Sequence, residues 1–227
     1  MGCSSGPDII QDGLVLCLDA GSKRSYPGTG TTWSDLSGNG NNASLLNTPS
    51  FDTENSGGIG FDSSNNYALV SQNFQPARFT LGGWINVFGT LGGLQGFLSN
   101  RDMGGDNIGF VIEGDSATSF SIYIRISNSW ASLGNIPITY NQPTYLLWSY
   151  DESSIKAYKD GELYSSKSQT GSVQYSNSND FYIAAQKQGA SIVRPIYARI
   201  HSVSLYNRAL TADEVRQNYL STKERFA

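Results

Sequence analysis

The side chains of this sequence that could carry out acid-base chemistry are Glu113 and Asp115, two positions apart in the segment IGFVIEGD. Hydrolysis of a glycosidic bond needs two carboxyl groups about 5–9 Å apart, one acting as acid and the other as base or nucleophile. Nucleophilic catalysis has less support, because His201 is the only histidine and a serine or cysteine without an oriented base is a weak nucleophile. His201 alternates with its neighbours in ARIHSVSLY, which predicts a half-buried histidine within a strand.

A different chemistry, cation binding, is suggested by the turn-rich run WSDLSGNGNNASLL. Asp35, Ser37 and Asn39 place oxygen atoms at alternate positions before Gly40, as in the first half of a calcium-binding loop. The second half does not match, because the twelfth position of such a loop should be a glutamate and is Leu46 here.

A calcium site in this run would need further ligands, and the nearest ones among the motifs are Asp19 and Asp62. The predicted ligands are Asp19, Asp35, Asn39 and Asp62. No cofactor is required by the predicted function, so calcium is an optional ion. The alternative is an Asx-turn corner that Trp33 and Leu36 anchor in the core while the polar residues stay in water.

A surface for binding is predicted on the strand SFSIYIRIS. The apolar side chains at every second position face inward, and they are Phe120, Ile122, Ile124 and Ile126. Tyr123 and Arg125 then face outward, with Asn128 and Trp130 just beyond the strand. These four residues could stack on a sugar ring and bind its hydroxyls. The interpretation that we favour is a contact between subunits, where Tyr, Trp and Arg are enriched.

The elements that must position these residues are mostly strands. Alternating apolar residues bounded by Gly, Asn, Asp or Ser predict strands over residues 13–21, 67–70, 79–88, 96–99, 108–114, 119–127, 144–151, 180–186 and 196–207. Asp160-Gly161, between two alternating runs, predicts a hairpin with a two-residue turn. Roughly a dozen strands about 8–12 residues apart are typical of an all-β sandwich or barrel.

One helix is predicted near the C terminus, in LTADEVRQNYL. Thr211 and Glu214 form a capping box there, and Leu210 with Val215 forms a hydrophobic staple. We find no internal repeat and no linker, so we predict a single domain over residues 13–227. Residues 1–12 are predicted to be an N-terminal arm that becomes ordered against a partner.

Composition and charge exclude several classes of function. The net charge is −4, and the 15 Lys and Arg residues form no cluster, so a nucleic-acid partner is not expected. No apolar stretch approaches the ~20 residues of a membrane span. The start of the sequence does not read as a secretory signal, and Cys3 and Cys17 are expected to be free thiols.

The order of motifs, GLVLCLDAG, SYPGTGTTWSDLSGNGNN, ARFTLGGWIN, YLLWSYDESSIKAYKDGELY and LYNRALTADEVRQNY, resembles the concanavalin A-like lectin/glucanase domains of the laminin-G-like kind. The opening motif resembles the form found in phage and marine viral structural proteins. The resemblance begins near Gly13 and implies a jelly-roll sandwich of two antiparallel sheets with one short C-terminal helix. Related domains bind sugars, proteins or calcium, and some hydrolyse glucans.

Two departures from the family pattern bear on function. Glucanase members carry E-x-D-x-E or E-x-D-x-x-E on one strand, and the last glutamate is replaced here by Ala117 or Thr118. We therefore predict no enzymatic activity and interpret Glu113 and Asp115 as solvated strand-end residues. Many relatives have an acidic residue where this sequence has Ala198-Arg199, which weakens the case for a metal ligand there.

The sequence thus predicts a non-enzymatic structural or decoration protein of a phage particle, on its head or its tail. Its partners would be other virion proteins or copies of itself, with host surface polysaccharide as a further contact. Such a protein is made in the host cytoplasm without secretion and then acts in the virion. The alternatives are a carbohydrate-binding module of a cell-surface protein and a glycan hydrolase.

Overall fold

The computed structural model describes residues 8–91, 93–177 and 180–226 of the chain. Apolar side chains at alternate positions give the strands one buried face each, and two large antiparallel sheets pack through these faces as a sandwich. One short α-helix follows near the C terminus. The predicted all-β jelly-roll sandwich with a C-terminal helix is confirmed.

The described part of the chain contains nineteen strands, more than the dozen predicted. In chain order they are β1 Leu14–Asp19, β2 Thr32–Trp33, β3 Ala43–Leu46, β4 Ser50–Asp52, β5 Gly58–Asp62, β6 Tyr67–Val70, β7 Phe79–Val87, β8 Gly96–Ser99, β9 Phe110–Ser116, β10 Ser119–Ile126, β11 Ser129–Pro137, β12 Thr144–Tyr150, β13 Ser154–Lys159, β14 Glu162–Ser168, β15 Phe181–Ile183, β16 Gln186–Gln188, β17 Ser191–Val193, β18 Tyr197–Ile200 and β19 Ser202–Tyr206. The helix α1 spans Ala212–Leu220, and short 3₁₀ turns span Glu54–Ser56 and Lys223–Arg225.

The strands are divided between two sheets and one small hairpin. The nine-stranded sheet has the order β14-β13-β12-β7-β18-β5-β4, with β19 pairing to both β7 and β1. The eight-stranded sheet has the order β11-β10-β9-β8-β15-β6-β3-β2. Strands β16 and β17 form a separate hairpin. The eight-stranded sheet therefore has the neighbouring strands β9, β10 and β11 together at one edge.

The main core lies between the two sheets. Leu81 and Trp148 of the nine-stranded sheet belong to the same buried cluster as Ile112 and Ile122 of the other. Each fully buried side chain of this kind stabilises the fold by roughly 1.5–3 kcal/mol relative to exposure.

Strand β10 has the two faces that its sequence predicts. Its inward side chains are all in the core, and they are Phe120, Ile122, Ile124 and Ile126. Tyr123 and Arg125 are half-buried on the other face. The alternation thus fixes which side chains of β10 point away from the sandwich.

The outer face of the nine-stranded sheet is covered by α1 and the segments around it. The helix begins with the predicted capping box, in which Thr211 accepts from the backbone of Glu214 and Glu214 accepts from the backbone of Thr211. Leu210 and Val215 are buried together in a second cluster with Trp84. These residues seal a sheet face that would otherwise meet water.

The N-terminal segment of the described chain joins this layer. The backbone N–H of Ile10 donates to Asn218 Oδ1 (2.8 Å), and its carbonyl accepts from the Tyr206 hydroxyl (3.0 Å). Ile9 and Ile10 pack against the second cluster. Of the predicted arm over residues 1–12, the part before residue 8 lies outside the described residues, as does Cys3.

Cys17 is a buried free cysteine in this layer. Burial raises the pKa of its thiol to about 12, and the nearby carboxylates of Asp19 and Asp35 act in the same direction. The thiol therefore stays protonated and unreactive at neutral pH.

The Asp160-Gly161 hairpin joins β13 to β14 as predicted. Both residues have positive φ, 50° and 82°, as the favoured two-residue turn requires. A Cβ at Gly161 would lie 2.8 Å from the ring of Tyr219, so glycine also makes room for the helix. The turn is therefore specified by both backbone conformation and packing.

Two predictions about the segment 196–207 were wrong. It forms two strands, β18 and β19, because the chain changes neighbours from β5 to β1 at this point while keeping β7. His201 lies at the break, and it is fully buried, not half-buried. Its Nδ1–H donates to the carbonyl of Gly57 (2.8 Å), and the ring packs edge-on against Phe226 (5.0 Å between centroids).

The pKa of His201 is lowered to about 4, mainly by burial and also by the positive charges of Arg199 and Arg225, while the hydrogen bond to Gly57 and the charge of Asp19 act in the opposite direction. With Nδ1–H donating to a carbonyl, Nε2 is a buried nitrogen that has no partner among the described residues. Protonation would add a charge to this site.

Stability should therefore fall as the pH drops from 7 to 5. The unfolded chain binds a proton at His201 near pH 6.5 and the folded chain only near pH 4, so unfolding takes up a proton in this window. We expect a loss of about 2 kcal/mol in the free energy of unfolding, measured by urea denaturation. His201→Asn should remove this pH dependence, because the chain has no other histidine. An equal loss in the variant would contradict the assignment.

Candidate functional site

The outer face of the eight-stranded sheet carries a cleft at its β9-β10-β11 edge. Of the four residues predicted for sugar or subunit contact, Tyr123 and Trp130 line this cleft. Arg125 lies opposite Trp130 in the β10-β11 pair, and its guanidinium is 5.8 Å from the centroid of the indole. Asn128 lies outside the cleft. Its backbone N–H and its side-chain amide oxygen form hydrogen bonds with the side chain of Gln174.

Glu113 is the main correction to the sequence interpretation. We predicted a solvated strand-end residue, whereas the structure places it on the floor of the cleft with 3% of its surface exposed. The strand continues to Ser116, so Glu113 is well inside β9. Its side chain points away from the core, next to residues from distant parts of the chain.

Three donors converge on one oxygen of Glu113. Arg194 Nη1 lies 3.0 Å and Arg101 Nη2 lies 3.4 Å from Oε2, and Gln186 Nε2 donates to the same atom. Gln186 also accepts from Arg101 Nη2 (2.7 Å) and donates to the carbonyl of Leu94 (3.1 Å). The buried carboxylate is therefore neutralised by ion pairs and hydrogen bonds, as a buried charge must be.

The cleft has apolar walls and a charged floor, with a volume of about 460 Å³. The walls are formed by Leu94, Met103 and Trp130. Arg101 lies beneath the indole, with its guanidinium carbon 5.3 Å from the ring centroid. The aromatic ring suits the apolar face of a small ligand, and the charged groups suit its polar rim.

The electrostatics of the floor follow from burial. Burial and the neighbouring charge of Arg194 lower the pKa of Arg101, and Glu113 opposes this shift. Burial and the hydrogen bond to Asp115 raise the pKa of Tyr123 to about 12. Both groups therefore keep their ordinary charge at neutral pH, Arg101 as a cation and Tyr123 as a neutral phenol.

Asp115 is held beside the cleft by two hydroxyl groups. It accepts from the Tyr123 hydroxyl (2.8 Å) and from Ser121 Oγ (2.6 Å). Both carboxylates of the Glu113-Gly114-Asp115 segment thus serve as acceptors in fixed networks.

Two residues of the rim have backbone conformations that bulky side chains rarely adopt. The φ angles of Leu94 and Arg194 are 65° and 54°. Thirteen other non-glycine residues of the described chain also have positive φ, so this conformation does not by itself mark a ligand site. Here it places the side chain of Arg194 over Glu113.

The predicted calcium residues are not brought together. Asp35 and Asn39 share the corner between β2 and β3, but Asp19 is bound to Arg225 (2.8 Å) and Asp62 accepts from Ser64 in a separate turn. In the described ranges, no three His, Cys, Asp or Glu side chains are grouped so that they could hold a metal.

The corner has its own hydrogen-bond system. The carboxylate of Asp35 accepts from Cys17 N, Ser37 N, Ser37 Oγ and Asn41 N at 2.7–3.0 Å. Trp33 is fully buried in the main core, and Leu36 packs against the second cluster. The turn-rich run thus ties the loop to β1 and anchors both of its ends. Calcium binding stays a prediction.

Sequence reasoning missed the residues that complete the cleft. Arg101 follows β8 and Arg194 follows β17, and neither belongs to a motif. Their one common signal is an arginine within two residues of the end of a short strand. Only the tertiary structure shows that both reach Glu113, because Arg194 is 81 residues from Glu113 in the chain and Arg101 is 12 residues from it.

The family model of the concanavalin A-like lectin/glucanases superfamily matches residues 61–216, and the chain belongs to this family. No curated protein matches the sequence at a significant level. No helix among the described residues is long and apolar enough to cross a membrane.

Similar solved structures share the fold at low sequence identity. The binding domain of Paraclostridial Mosquitocidal Protein 1 has a TM-score of 0.72 and 19% identity, over 92% of this chain and 52% of that one. The botulinum neurotoxin serotype D binding domain gives 0.69 and 13%, over 92% and 52%. Trypanosoma rangeli sialidase in complex with sialic acid gives 0.65 and 16%, over 94% and 33%.

The chain spans about half the length of the toxin binding domains and a third of the sialidase. These similarities establish the lectin-like jelly roll. The fold alone carries no evidence of catalysis.

The corner formed by Asp35 should be needed for stability without any ion. Asp35→Ala leaves four donors without their acceptor and should lower the free energy of unfolding by about 2 kcal/mol or more, measured by urea denaturation. Asp62→Ala, at an exposed turn, is the matched control and should change it little. EDTA should leave the Tm of the unsubstituted protein unchanged. A rise of Tm with added calcium would instead support the ion site.

Proposed function

We propose that this protein is a non-catalytic binding module whose Arg101-Trp130 cleft holds a saccharide. The observation that carries the proposal is the cleft itself, where the half-buried Trp130 lies beside fixed charged groups on the outer sheet face. A sugar ring has an apolar face that packs on an indole and hydroxyl groups that bind charged acceptors and donors.

The carboxylates of the cleft favour binding over hydrolysis. Glu113 is paired with two arginines, and Asp115 is bound by two hydroxyls, so both carboxylates serve as acceptors in fixed networks within the protein.

Trp130→Ala should weaken glycan binding about tenfold or more, because it removes the ring against which the sugar packs. The unsubstituted protein would be screened on an array of neutral and acidic glycans, and the affinity for a retained glycan would then be measured by calorimetry. Tyr197→Ala is the matched control, since Tyr197 is an exposed aromatic residue on β18, outside the cleft.

Thermal denaturation of both variants shows whether each of them is folded. The proposal fails if the array retains no glycan. It also fails if Trp130→Ala binds as tightly as the unsubstituted protein.

We separately propose the virion role predicted from the sequence, in which the protein is made in the host cell and acts as part of a phage particle. It is favoured by strand β14, an edge of the nine-stranded sheet where Leu163 and Tyr164 are 52% and 48% exposed. Free edge strands with apolar side chains pair readily with other chains. We assign this edge to contact with a second copy of the protein.

Light scattering tests the contact between copies. The unsubstituted protein should form a defined oligomer, and the double variant Leu163→Ser, Tyr164→Ser should be a monomer with an unchanged Tm. A monomeric unsubstituted protein at micromolar concentration would contradict the edge contact but leave the glycan site unaffected.

A further inference from the structure

The charges around the cleft do not balance. Arg101 and Arg194 share the single carboxylate of Glu113. Arg125 makes no ion pair with any residue in the described ranges, while Asp115 is bound by hydroxyl groups. The residues that line the cleft therefore carry two guanidinium groups, those of Arg101 and Arg194, and one carboxylate, that of Glu113. The surplus is positive, although the whole chain has a net charge of −4.

The arginines also keep donors that no described residue uses. Arg194 bonds through Nη1 alone, and 28% of its side chain is exposed at the mouth of the cleft. Arg101 is 8% exposed, and its Nε is a buried donor without an acceptor. The described residues include other buried atoms of this kind, so the exposed guanidinium of Arg194 is the donor that a ligand in the cleft can reach.

The remaining acceptor in the cleft is on Glu113. All three donors that bind this carboxylate use Oε2, so Oε1 makes no hydrogen bond within the described part of the chain. A hydroxyl group of a ligand can donate to Oε1 while an anionic group on the same ligand meets Arg194. The cleft therefore offers the Oε1 acceptor of Glu113 beside the guanidinium group of Arg194, next to an apolar wall.

We propose that the cleft selects saccharides that carry a carboxylate, with the acid group bound by Arg194 above Arg101 and the sugar ring packed against Trp130. This inference rests on the proposed glycan-binding function. A carboxylate suits the site because its planar pair of oxygens matches the planar fork of a guanidinium. A neighbouring hydroxyl then donates to Glu113 Oε1, which a simple anion could not do.

The fixed ion pairs make the selection possible. Arg194 is positioned by its bond to Glu113 and by its left-handed backbone, so little order has to be gained when a ligand arrives. An uncharged sugar would leave the surplus charge without a partner. A charge-assisted hydrogen bond in such a site should favour the acid over its neutral ester by about tenfold or more.

Calorimetry with paired ligands tests the inference. The probes are short oligosaccharides of galacturonate, of glucuronate with N-acetylglucosamine, and sialyllactose, each as the free carboxylate and as its methyl ester. At least one free acid should bind about tenfold or more tightly than its ester, and the difference should shrink as salt is added.

Variants of Arg194 assign the effect to the cleft. Arg194→Gln should abolish the preference for the acid over its ester, and Arg194→Lys should restore part of that preference. Arg78→Gln is the matched control, because Arg78 is an exposed arginine paired with Glu152 outside the cleft. Thermal denaturation shows whether each variant is folded.

The possible failures are distinguishable. Equal affinity for acids and esters, retention of neutral glycans alone, or preference for a sulfated oligosaccharide over every carboxylate would overturn the inference and leave glycan binding intact. Failure of every glycan to bind would overturn the proposed function itself.

Discussion

A negative charge on a sheet face that is nearly closed to water has to be neutralised, and Glu113 imposes this constraint on the structure around it. Its neutralisation requires Arg101 from the end of β8 and Arg194 from beyond β17, and Gln186 of β16 adds a third donor. One carboxylate oxygen therefore fixes the positions of segments that are distant in sequence. The cleft exists because these segments meet there.

The two sheets of the sandwich differ in how far their outer faces are covered. The nine-stranded sheet has its outer face covered by α1 and by residues near both ends of the described chain, among them Ile9, Ile10 and Phe226. The eight-stranded sheet instead presents the outer side chains of β9, β10 and β11 to the cleft. An antiparallel sheet tolerates such a half-open arrangement because its polar face can stay in contact with water. One sheet is thus covered on its outer face, and the other carries the candidate site.

Much of the fold could be predicted from local signals. The capping box of Thr211 and Glu214, the Asp160-Gly161 turn and the alternation of β10 each depend on residues close in sequence, and each is confirmed. Strands without such alternation were missed, such as β11, whose exposure is irregular. The break at His201 was missed because it reflects a change of strand partners, which the local pattern does not encode.

The site was only partly predictable for the same reason. Tyr123 was placed on the outer face because strand geometry gives the direction of its side chain, whereas Trp130 was included because it closely follows that strand in sequence. The burial of Glu113 depends on Arg101 and Arg194, and the sequence gives no sign that these charges meet. Asp35 is a different case. Its motif resembles a metal-binding loop, and in the structure its carboxylate accepts the hydrogen bonds that hold a corner.

The most direct measurement is a crystal structure of the protein soaked with a short galacturonate oligosaccharide or sialyllactose. If the cleft is the binding site, the sugar ring will lie against Trp130, with its carboxylate within hydrogen-bonding distance of Arg194. A ligand bound on the opposite sheet, or one in the cleft with its carboxylate directed into solvent away from Arg194, would contradict the role assigned to the buried charge cluster.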